Sequence, residues 1–294
     1  MDARREGGFW GVKCRDLAPV VLKRKQARAP AVAVDLKVAD LLHDCEYLGM
    51  MNPHTPLMLA VMQGTPEELG FVLRAQCDAA EWVDRNDPNL GITPLMACSF
   101  REPDLGALAM AKLLVDAGAC VETPDDGPGA FPVFMSAQNG KPMLTRFLAR
   151  QCGARLDRSC TNTPTQPLGI AAQNGHFETV GEILAAAIAR GPHVVEAIID
   201  APNIEGKSPC HIAVELARVE IAGALAAAGA DLRRACPRHY SVFSETIDEM
   251  RDNFDPSPDH PVHYALDAAL RSHARESTRR FRFCLCVKVG AFCT

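Results

Sequence analysis

Apolar residues in this chain come in short clusters of helical period, five of them opened by a proline. Five segments share that opening: Thr55-Pro56-Leu57, Thr93-Pro94-Leu95, Phe131-Pro132-Val133, Gln166-Pro167-Leu168 and Ser208-Pro209-Cys210. The prolines are separated by 38, 38, 35 and 42 residues, a period in the thirties with insertions. Residues 101–107 lengthen the turn between the helices of the second repeat, and 190–200 lengthen the fourth after its second helix, with room for one more helical turn at 194–199. Each opening predicts a helix start. Thr or Ser supplies a side-chain oxygen to a free N–H of the first turn. Proline follows at the first helical position, where its missing N–H costs nothing. Gly64, Gly140 and Gly175 predict where the short helices end. A second helix is predicted after four of the five, over 110–117, 143–149, 177–184 and 220–228. A lone helix pair cannot bury both apolar faces, so the pairs must stack on one another.

The ends of such a stack need covers. Val34, Val38, Leu41, Leu42, Cys45 and Leu48 form one stripe on a helix, which predicts an N-terminal capping helix within 34–51. A C-terminal cap or partial repeat is expected over 236–252, with a helix over 240–251. Three prolines in 253–261 mark a linker. Beyond it, 262–279 has the makings of a basic helix, and 280–289 alternates like a strand.

The Thr-Pro start, the glycine, the second helix and the Gly-Ala-Asp close (Gly118-Ala119, Gly229-Ala230-Asp231) resemble the ankyrin repeat. The resemblance covers about 52–235. It departs at the family's histidine, kept only as His211 and replaced by Met58, Met96, Phe134 and Gly169. It departs again where Phe131 and Gln166 stand for the capping threonine. It implies an all-α solenoid of about five helix-turn-helix repeats with capping helices; a basic segment at 1–33 and a linker with basic tail at 253–294 flank it by composition. It further implies that a protein partner binds the concave face built from first helices and finger tips. By position that face comprises Asn89, Leu90, Ile92, Phe100, Arg101, Gln138, Asn139, Gln173, Asn174, Glu205, Lys207 and Glu215.

Charge refines the partner. Residues 1–30 carry eight Lys/Arg against three Asp/Glu, and 271–294 carry six against one, each +5. The whole chain is −5, so 31–270 carries −15. An acidic body favours a basic protein segment and disfavours nucleic acid. The basic tails are a candidate for lying on that body in the absence of a partner.

Chemistry adds little. No phosphate loop, HExxH or nucleophile elbow occurs, so a non-enzymatic chain without cofactor is expected. Twelve scattered cysteines without a CxxC pair read as small apolar fillers. His260, His263, Cys284 and Cys286 have the right chemistry for zinc, but surface histidines and apolar cysteines account for them, and no metal is assigned. Arg271, Arg275, Arg279, Arg280 and Arg282 beside Cys284 and Cys286 suggest the alternative of a membrane-recruited regulator. With no secretory signal or membrane span, a cytoplasmic site is expected, with the nucleus open through Lys23-Arg24-Lys25.

Overall fold

A helix begins at each of the five recurrent prolines, and at Pro94 and Pro209 the preceding Thr93 and Ser208 add the capping bond. The computed structural model describes residues 56–75, 82–161, 164–231, 236–237, 244–245 and most of 264–272. The basic segment 1–33, the capping helix within 34–51, the linker and the tail beyond 272 lie outside the described residues. Two compact units divide at Ala119 and Cys120.

In the first unit, α1 (Pro56–Gln63) and α2 (Pro66–Ala75) pair, then α3 (Pro94–Ala97) and α4 (Asp104–Asp116). A 3-10 turn, Cys98–Phe100, prolongs α3. Thr93 caps α3, its hydroxyl accepting from the Met96 N–H at 3.2 Å. Thr65 and Glu68 form a capping box at α2, each side chain taking the other's N–H. The expected long turn over 101–107 is shorter than its sequence suggests, because Asp104 already opens α4 and places its carboxylate in the first turn. Helix α1 packs on α3, and α2 on α4.

The second unit stacks α5 (Pro132–Gln138), α7 (Pro167–Asn174) and α10 (Pro209–Glu215) in succession as inner helices. Their outer partners are α6 (Pro142–Arg146), α8 (Phe177–Arg190) and α11 (Val219–Ala227). A π turn, Phe147–Gln151, continues α6. The inner helices are buried nearly all round: Pro132 to Ala137 in α5, and Pro209 to Val214 in α10. Gln166 and Phe131 make no capping bond, as their side chains imply. Gly175 ends α7 with φ 81°, the left-handed turn that glycine adopts without strain. The insertion over 190–200 becomes two full turns of helix, α9 (Pro192–Ile199), whose Ile198 and Ile199 are buried.

Between the pairs run the fingers, which are tight turns rather than a sheet. Asp87 N–H donates to the Ile92 carbonyl at 2.9 Å, Asp125 to Ala130 at 2.8 Å, and Asn203 to Lys207 at 2.9 Å. Each side chain then clasps its own loop. Asp87 Oδ1 accepts from Asn89 and Leu90. Asp125 Oδ1 accepts from Gly127, Gly129 and Ala130, and Asn203 Oδ1 from Glu205 and Lys207. Cys160 holds that place in the fourth finger, where the closing bond to Thr165 stretches to 3.4 Å.

Past the array, Cys236–Pro237 and Ser244–Glu245 pair antiparallel, so residues 244 and 245 of the expected helix over 240–251 are extended instead. The described residues of 264–272 are helical, as expected for the start of the basic helix. Ala268 and Ser272 lie beside Gly223 of α11, and Ala265 is fully buried.

Ser208 not only caps α10 but also holds His211, with its hydroxyl 2.7 Å from Nδ1 inside the core. Thr93→Ala should therefore cost about 1 kcal/mol of stability, the usual loss for a cap. Ser208→Ala should cost more, because a buried hydrogen bond goes with the cap. Urea unfolding of the two variants checks the order; equal losses would refute the buried contribution.

Candidate binding face

The expected contact residues separate into those that offer surface and those that hold the repeats together. In the first unit Asn89 is exposed, while Leu90 and Phe100 are half-buried. Ile92 corrects the expectation: it is 6% exposed and belongs to the core, its carbonyl closing the finger on Asp87. Arg101 is half-buried and committed within the chain, its Nη1 donating to the Val61 carbonyl of α1 at 2.6 Å. That carbonyl stands near the end of a short helix and needs an outside donor.

In the second unit the polar ends of α5 and α7 meet. The Gln138 carbonyl accepts from Asn174 Nδ2 at 2.9 Å and from His176 Nε2 at 3.0 Å. Gln138, Asn139 and Gln173 are half-buried and Asn174 is exposed, so the four amides line the polar ends of the largely buried α5 and α7. Amides can hydrogen-bond a partner in both directions and carry no charge to desolvate.

Glu205, Lys207 and Glu215 also come together. Lys207 Nζ lies 2.8 Å from Glu205 and 2.6 Å from Glu215. Burial pulls the ammonium pKa down, but the hydrogen bonds and charges of the two carboxylates outweigh it and hold it above its ordinary value. Two carboxylates against one ammonium leave this corner one unit negative. Ile204, at the tip of the same finger, is 62% exposed.

Other cations of this unit are held internally. Arg158 bonds Glu122 and stacks 4.7 Å over the buried Phe131 ring, and Arg155 pairs with Asp157. Arg150 meets Glu182 at 3.7 Å, and Arg190 reaches back to the carbonyls of Ala149 and Ala154. The residues that the sequence reading passed over are these carbonyl-capping side chains, chiefly His176 and Arg190, and the finger clasps Asp87, Asp125 and Asn203. The clasps had a signal: each precedes its proline by six or seven residues.

Thiol chemistry is muted here. Burial pushes Cys98 and Cys210 up to about 12, so both stay protonated and serve as apolar filler. Among the described residues no group of three or more His, Cys, Asp or Glu stands together to hold a metal ion; His260, His263, Cys284 and Cys286 lie outside them. Among the described residues no helix is long and apolar enough to cross a membrane.

These helix pairs, tight fingers and inner-helix stacking define a helical repeat protein of the all-α class. Residues 133–236 match the family model of ankyrin repeats, in three copies, so this part of the chain is an ankyrin-repeat array. The chain is 30% identical over 132 residues, 45% of its length, to the Ankyrin repeat and KH domain-containing protein mask-1 of Caenorhabditis elegans. It spans 5% of that much longer relative. Ankyrin repeats generally mediate protein–protein interaction.

Arg101 should thus act on stability rather than on a partner. Arg101→Met keeps the apolar stem and removes the donor, and is expected to cost about 1–3 kcal/mol, read from the urea midpoint. Phe100→Ala alone is then the cleaner probe of surface, and an Arg101→Met chain of full stability would return Arg101 to the face.

Proposed function

We propose that this protein is a non-enzymatic scaffold or adaptor that binds a basic protein segment along the inner helices and fingers of its second unit. The observation that carries this reading is the polar row at the ends of buried helices, half-buried up to the exposed Asn174. Gln138, Asn139, Gln173 and Asn174 lead to the Glu205–Lys207–Glu215 corner, where acid outnumbers base. Pairing of Arg155 with Asp157, Arg158 with Glu122 and Arg150 with Glu182 supports the same sign of partner, since it offsets cationic charge that would oppose one. A segment alternating cations with small apolar groups fits an acidic corner beside the exposed Ile204.

The test is capture from a lysate of the source cell by the full chain and by a Gln173→Ala/Glu215→Gln variant. Binding of the enriched protein should weaken about tenfold, or 1.4 kcal/mol, and wild-type binding should fall with added salt. Circular dichroism should be unchanged. Equal capture by both chains would remove this face from the reading.

A further inference from the structure

His176 directly follows the glycine that ends α7, and its ring reaches the end of α5 in the preceding repeat. Nε2 lies 3.0 Å from the Gln138 carbonyl, which also accepts from Asn174. A carbonyl only accepts, so Nε2 carries the proton, and Nδ1 of the neutral ring is bare. Nδ1 faces Gly140, at φ 63°, so closely that a Cβ on that residue would collide with the ring. A second proton would therefore be placed against a CH₂ group.

The charged groups that act on the ring come from both flanking repeats. Lys141 belongs to the α5–α6 turn and is 4% exposed; Arg218 belongs to the α10–α11 turn and covers Gly175. Both are cations. Burial first, then Arg218 and Lys141, hold the imidazole below its ordinary value of 6.5, against the opposing pull of the Gln138 bond. Protonation of the folded form thus costs more than protonation of an open form.

We propose that His176 is a proton-operated latch between the third and fourth repeats: mild acid adds a proton at Nδ1, loosens the α5–α7 contact and disperses Gln138, Asn139 and Asn174. The effect on a partner rests on the binding face proposed above; the latch itself does not. The sign follows from linkage. Because the folded form binds the proton less readily, the stabilisation is complete above the ordinary histidine range. It is lost as pH falls from there through the lowered folded value.

The experiment uses the full chain. An NMR titration should place the His176 midpoint below 6.5, and Arg218→Gln should move it upward by removing a neighbouring cation. Amide protection factors at Asn139, Lys141, Gly175 and His176 should fall by about threefold or more between neutral and mildly acid pH. In His176→Gln, which keeps a donor but cannot charge, they should stay level. A midpoint at or above 6.5, or the same loss in His176→Gln, overturns the latch. Should His176→Gln not fold, the wild-type and Arg218→Gln titrations decide alone. A latch that titrates as stated while partner capture ignores pH overturns its link to the binding face and leaves the latch standing.

Discussion

A helix of seven or eight residues leaves its last four carbonyls without donors of its own, and the inner helices here are all that short. Carbonyls that face a neighbouring repeat are served from that repeat. Arg101 reaches Val61, and Asn174 with His176 reaches Gln138. On the outer side Arg190 does the same for Ala149 and Ala154. Each donor lies 36 to 41 residues beyond its acceptor, one repeat on. Coupling between neighbours is therefore specific as well as apolar, a nearest-neighbour tie between units that have no core of their own.

The same economy decides where charge is left over. Exposed ion pairs such as Arg155–Asp157 add little stability. They do fix the cations against the fingers, and Arg158 gains further from the face of Phe131. What remains outward on the second unit is set by subtraction, and the amides at the ends of α5 and α7 sit in that remainder.

Helix starts were legible because proline and its capping neighbour act on the backbone locally; Thr93 and Ser208 need no tertiary information. The insertions were harder. A stretch containing Pro103 and Gly106 reads as loop, yet stacking against α2 recruits its second half into α4. Arg101 was read as surface because the carbonyl it serves lies 40 residues away, a distance that no local pattern spans. Ile92 failed for a simpler reason: its carbonyl closes the finger on Asp87 and it leads straight into the buried Thr93 and Pro94, so it belongs to the core. His176 carried no local signal at all, since its environment is assembled from Gln138, Lys141 and Arg218 on two other repeats.

Among the described repeats length varies mainly on the outer side, in α4, in α8 and in the added α9. From finger clasp to inner-helix proline the count stays at seven, seven and six for Asp87, Asp125 and Asn203. The inner helices of the second unit thus succeed one another at the ordinary packing distance of about 8–10 Å. An extended chain advances about 3.3 Å per residue. A peptide laid across α5, α7 and α10 would meet a new helix about every third residue, so its recognised side chains would recur at a spacing of three.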